Sequence, residues 1–183
     1  MKTLVVDHYE VEFGEEWTAL VWDGHAAQKA QHRGTGSAPV DVVGLRANTE
    51  SLMLELTDYR GFVAPERESL AEETAVKVSH TIAGVNGAAR CTDETVFASS
   101  VALWGKGGQI TVALCVDFDE PGATPSVRLQ RREVREGMIR KQLRKRLAWL
   151  KARTVVCASE SLGQELSHVN VRSVRGAGRG RQR

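Results

Sequence analysis

Disulfide scaffolding, a zinc ribbon and a membrane span all lack their raw material in this sequence. The three cysteines, Cys91, Cys115 and Cys157, are odd in number and share no CxxC spacing, so reduced intracellular thiols are expected rather than a disulfide framework or a structural metal site. No apolar run approaches the roughly 18 residues of a spanning helix, so no membrane partner is expected and the cytoplasm is the expected location. The five histidines form no HxxxH or HExxH pair, and no GxSxG elbow occurs, leaving zinc-hydrolase and serine-nucleophile chemistry without a motif. GKGG at 105–108 has neither the glycine spacing of a phosphate-binding loop nor a Ser/Thr after its lysine. Aromatic residues make up 5% of the chain, and Trp17, Trp22, Trp104 and Trp149 are too scattered to form a base-stacking platform, so core packing is expected for them.

What is present is enough apolar material for one core. With 183 residues, 42% of them hydrophobic, the chain fits a single α/β domain over 1–160, and the Gly/Arg-rich end, 161–183, reads as a flexible tail. The net charge of +2 hides a partition. Residues 1–127 carry nine basic against nineteen acidic side chains, whereas residues 128–153 carry eleven basic against two acidic. An acidic body followed by a basic block points either to a polyanion such as DNA or to a self-complementary fold, a protein partner or a homodimer.

Residues 3–12 are β-rich and read as one strand instead of a leader peptide. The stretch 14–34 reads as a broken helix or as a strand and a helix. VDVVGL, RANTE and SLMLELTD make a hairpin over 40–58, with Leu52, Leu54 and Leu56 on one face and Met53, Glu55 and Thr57 on the other. From Glu66 to about Asn86, Ala71, Ala75, Val78, Ile82 and Val85 recur at helical spacing. Residues 99–104 and 109–118 read as two strands joined by a glycine turn at 105–108. A basic helix over 127–152 buries Ile139, Leu143, Leu147 and Leu150 and presents Arg140, Lys141, Arg144 and Lys145 on its other side, followed by a strand at 154–159.

Within this order, Asp41 at the start of one hairpin strand and Glu55 on the next are positioned to converge, since paired strands lie about 4.8 Å apart. Two carboxylates of that kind suit Mg²⁺ or Mn²⁺. The segments APVDVVGL, LMLELTDYRGF and VKVSHTIAG, covering roughly residues 39–86, resemble the PD-(D/E)XK nuclease-like superfamily, in particular small bacterial members with an EVKDFRG-type strand. The resemblance implies a restriction-endonuclease-like core, a mixed central sheet flanked by helices. It also implies a metal-dependent DNA endonuclease of a bacterial defence or restriction-type system, with Asp41 and Glu55 as metal ligands and Asp58, Arg60 and Gly61 matching the DFRG continuation. Thr57 stands where that pattern has its lysine, and a hydroxyl cannot supply the positive charge. Lys77, on the following helix, is the candidate substitute, and Lys106 a second. Glu10, Glu12, Glu15 and Glu16 are eligible as a third acid. The alternative is a catalytically inactive nuclease-fold protein that binds nucleic acid or a partner subunit, with Arg140, Lys141, Arg144 and Lys145 as the phosphate-binding face in either case.

Overall fold

The computed structural model describes residues 1–35, 38–63, 66–119 and 124–174. β4 (Val42–Arg46) and β5 (Glu50–Asp58) form the hairpin read from the sequence, paired antiparallel with Val42 opposite Leu54 and Arg46 opposite Glu50. Ala47 and Asn48 take positive φ at its turn. β3 (Trp17–Val21) pairs antiparallel with β4, while β6 (Gln109–Asp117) and then β7 (Arg153–Cys157) add in parallel on the other side of β5. The result is a five-stranded mixed sheet in the order β3-β4-β5-β6-β7.

Both faces of this sheet are covered, which explains why β5 and β6 read as near-continuous apolar runs. On one face Val43, Met53, Val112 and Leu114 pack against Leu70, Val78 and Val85 of α2 (Arg67–Cys91), Phe97 and Leu103 of α3 (Thr95–Gly105), and Ile139 and Leu143 of α4 (Pro125–Arg146). On the other face Val42, Leu52, Leu54 and Leu56 pack against Val11, Phe13 and Val171 of a smaller antiparallel sheet, made of β1 (Lys2–Val6), β2 (Tyr9–Phe13) and β8 (Val169–Ser173). The alternation of Leu52, Leu54 and Leu56 against Met53 therefore separates two cores. Among the described residues no helix is long and apolar enough to cross a membrane.

Three local expectations are corrected, and one open alternative, over residues 14–34, is decided. Residues 3–12 are two strands, because Asp7 adopts φ 48° and folds β2 back on β1 with Val6 opposite Tyr9. Residues 14–34 resolve into β3 and α1 (Ala26–Thr35). Residues 99–104 lie in α3, not a strand. β6 has β5 on one side and β7 on the other, which leaves it no edge for a hairpin partner. Val96, Phe97, Ser100 and Leu103 are the buried face of that helix. The glycine turn is its terminator: Gly107, at φ 72°, donates to Trp104 O and Gly108 donates to Leu103 O, a Schellman closure. A Cβ on Gly108 would meet Leu103 O at 3.1 Å and run into the Leu103 side chain. Lastly, residues 162–173 are not tail. α5 (Leu162–Glu165) and β8 lie there, and β8 pairs along the whole of β2. Residues 175–183, the rest of the expected tail, lie outside the described residues.

The tryptophans divide. Trp17 and Trp22 are core residues, but Trp149, in the 3₁₀ turn Ala148–Leu150 after α4, is 61% exposed, against the expectation that packing accounts for it.

Candidate active site

The hairpin register carries the acid pair. Continuing the pairing of Val42 with Leu54 by one residue sets Asp41, which immediately precedes β4, opposite Glu55. Directly opposed residues hold their Cβ atoms about 4.5–5.5 Å apart. Their parity is that of Val43 and Met53, so both carboxyl groups belong to the face that α2 covers. Asp41 is fixed at both ends: its carbonyl accepts the Trp22 N–H at 2.7 Å, and its Oδ2 accepts the Leu56 N–H at 2.7 Å.

α2 brings the third group. Lys77 Nζ lies 2.6 Å from Glu55 Oε1 and 3.4 Å from Glu73 Oε1, so the lysine bridges its own helix to the sheet. One turn on, Thr81 holds the helix to the segment that carries Asp41. Its hydroxyl donates to Lys77 O at 2.8 Å and accepts the Val40 N–H at 2.9 Å. Glu73, four residues before Lys77 on the same helix, is the partner that helical spacing supplies, and Glu55 is the closer one.

Glu55 is 4% exposed, and its second oxygen, Oε2, is buried with no hydrogen-bond partner among the described residues. Burial and the nearby Asp41 charge push Glu55 up to about 8, although the Lys77 ammonium opposes the rise. Burial likewise pushes Asp41 up to about 6, against the Leu56 N–H and Lys77, with Asp23 and Asp7 adding to the rise. Burial works to lower Lys77, but Glu55, Glu73 and Asp41 hold it above the ordinary lysine value. The site is thus a sheltered acid pair with less positive charge than its two carboxylates require. An added cation relieves that imbalance, and protons do so in its place.

The other expectations sort by position. Lys106 caps α3 at the opposite end of β6 from the residue beside Glu55, and takes no part. Thr57 is half-buried two residues beyond Glu55. The four glutamates eligible as a third acid belong to the other layer: Glu10 and Glu12 pair with Arg172, Glu15 with the amino terminus, and Glu16 with Arg46 and His168. Besides Glu55, the acids whose charges reach Asp41 are Asp23 and Asp7, at strand ends that sequence periodicity does not bring together. Among the described residues no group of three or more His, Cys, Asp or Glu side chains is arranged to hold a metal ion.

The DYRG segment has a different task. Arg60 clasps Asp58 through two hydrogen bonds, at 2.9 and 2.8 Å, and donates to Ser173 Oγ of β8 at 2.8 Å. Asp117, opposite Asp58 in the parallel register, accepts the Tyr9 hydroxyl at 3.1 Å and both the N–H and hydroxyl of Ser159 at 3.0 and 2.8 Å. Burial and Asp117 push the Tyr9 phenol well above its ordinary value. This network ties the two sheets together at the carboxyl ends of β5 and β6. Gly61, at φ 81°, turns the chain out of it and donates to Asp119 at 2.5 Å.

The basic helix is partly spent within the fold. Arg140 donates to Val156 O at 2.8 Å and lies 3.6 Å from Glu165, and Arg146 pairs with Glu72 at 3.1 Å. Lys141, Arg144 and Lys145 are exposed and make no ion pair among the described residues. α4 packs on β7 and α2, and β6 lies between β7 and the strand that carries Glu55. Comparisons with protein-family models, with curated proteins and with solved structures find no match to this chain.

Proposed function

We propose that this chain is a metal-dependent DNA phosphodiesterase of bacterial defence or restriction type, built on a restriction-endonuclease-like core. One observation carries the reading: Asp41 and Glu55 face each other across a hairpin, with an amine 2.6 Å from one of them. The element order agrees with the resemblance: the antiparallel strands β4 and β5 and most of the helix α2 fall within residues 39–86, and α3 and the parallel strand β6 follow.

The residues fit a hard divalent cation. Mg²⁺ commonly takes only one or two carboxylates and fills its remaining positions with water and substrate phosphate, and the unpartnered Glu55 Oε2 is an acceptor in want of a positive partner. Asp41 and Glu55 would hold Mg²⁺ or Mn²⁺, which when bound acidifies a coordinated water and offsets phosphate charge. Glu55 has to release its proton before it can act as a ligand, so binding strengthens with pH through the neutral range. Lys77 stands in by position for the lysine that Thr57 replaces, its ammonium directed at the same carboxylate from the helix instead of the strand.

A second reading has its own observation. Lys77 already occupies one oxygen of Glu55 and no three-acid cluster occurs among the described residues, which favours an inactive nuclease-fold protein that binds DNA or a partner subunit. Supercoiled plasmid incubated with Mg²⁺ or Mn²⁺ separates the two. Nicking that Asp41→Ala and Glu55→Ala each abolish supports the enzyme. A wild-type protein that binds DNA without nicking it supports the binder, and nicking that survives both substitutions refutes the assignment of the site.

A further inference from the structure

The C-terminal end of α4, the turn Ala148–Leu150 and the first residues of β6 and β7 border an open cavity of about 890 Å³, within the size range of ligand sites. It opens where β6 begins, beside Glu50 of β5. Glu55 is five residues further along that strand, about 17 Å at about 3.3 Å per residue, so the cavity is not the acid-pair site.

Its wall is built for an acceptor. Arg140, Arg144, Lys151 and Arg153 line it, and Glu165 is the acidic side chain among its described lining residues. Glu165 is already engaged, its carboxylate 3.6 Å from Arg140 and its carbonyl accepting Arg153 at 2.7 Å. Three buried polar atoms of lining residues have no hydrogen-bond partner among the described residues: Trp104 Nε1, Arg140 Nε and Thr154 Oγ1. The first two can only donate. Thr154 itself is 6% exposed, so its unused hydroxyl lies well inside the wall. Those three atoms are closed to solvent; the accessible surplus is the positive charge of Arg144, Lys151 and Arg153, which an anion satisfies. Beside them Trp149, a large aromatic left 61% exposed at the cavity, offers a flat apolar face.

We infer that this cavity binds a nucleotide unit, with the phosphate among Arg144, Lys151 and Arg153 and the base stacked on Trp149. The inference goes beyond the acid-pair reading and does not depend on it, since binding here needs no divalent metal.

The test uses the full chain in EDTA, titrated with a thymidine 12-mer, with thymidine monophosphate and with inorganic phosphate, and followed by tryptophan fluorescence. The 12-mer or the mononucleotide is expected to quench the emission, and Trp149→Ala to remove the quench and weaken binding about tenfold. Arg144→Glu with Arg153→Glu should weaken it a hundredfold or more and flatten the salt dependence by about two phosphates. Lys29→Glu, half that charge change placed on α1, should leave it within twofold. Because Trp149, Arg144 and Arg153 are exposed, these substitutions spare the core, and circular dichroism checks that they do. Quenching by the mononucleotide identifies a free nucleotide as the source, and quenching by the 12-mer alone identifies a strand. Absence of quenching, affinity unchanged by the Trp149 or arginine substitutions, or phosphate competing as well as either nucleotide probe would overturn the inference.

Discussion

Replacing Glu55 by glutamine removes a single ionisation from the most sheltered part of the acid pair, and its consequence is a change in how stability depends on pH. The folded state holds the Glu55 proton up to about 8, whereas an unfolded glutamate releases it near 4.5. Stability from this group is therefore complete below about 4.5 and is lost as pH rises through 8, because the unfolded chain sheds a proton that the folded chain retains. A displacement of about 3.5 pH units at about 1.4 kcal/mol each sets a ceiling of about 5 kcal/mol, nearly all of it lost between pH 5 and pH 9. Since Asp41 shares the interaction, we take about half, 2–3 kcal/mol, as the part belonging to Glu55. Urea unfolding of wild type and Glu55→Gln in EDTA at pH 5, 7 and 9 reads this directly. The gap between the two proteins should move by about 2–3 kcal/mol in favour of the variant from pH 5 to pH 9. Excess Mg²⁺ should restore wild-type stability at pH 9 and leave the variant little changed, since the cation binds the ionised pair. A gap that stays constant with pH would mean that Glu55 is not held protonated by its surroundings, and the electrostatic account of the site would fail.

In the plasmid assay, Lys77→Met should lower the rate at least a hundredfold, and Thr57→Lys in that background should return part of it; no effect of Lys77→Met would refute its catalytic role. Asp117→Asn should destabilise by about 1–3 kcal/mol, because an amide cannot accept from Tyr9 and Ser159 on both sides. A double-mutant cycle with Tyr9→Phe in urea should show coupling between the two, and additivity would refute the network. Phe13→Ala, at a fully buried residue between the two sheets, should cost about 3–5 kcal/mol by thermal or urea melting, and a cost under about 1 kcal/mol would refute the second core.

The hairpin was legible because its leucines alternate and its turn is polar, and with it came the opposition of Asp41 and Glu55, which a two-residue side-chain period makes inevitable once Val42 meets Leu54. Lys77 was legible as a helix-face residue, though helical spacing alone favours Glu73 over Glu55 as its partner. α3 was not legible as a helix: VALW satisfies a strand template as well as a helical one, and only the parallel placement of β6 decides between them. β8 was hidden because Val169 and Val171 are two apolar residues in a polar, basic stretch, and their burial depends on β2, about 160 residues earlier. The Asp58–Arg60–Asp117 network was invisible for the same reason. Register across a parallel crossover sets Asp117 beside Asp58, and no local pattern records it.

The dependence of β2 on β8 has a kinetic side. Every other described element precedes β8 in synthesis, so on the ribosome Val11 and Phe13 have a pairing edge and an apolar face with nothing yet to finish the layer. Pairing across so long a stretch of chain is slow to nucleate, and an unfinished edge is where chains adhere to one another. Truncation before Val169 is accordingly expected to yield insoluble protein, even though it leaves Asp41, Glu55 and Lys77 in place.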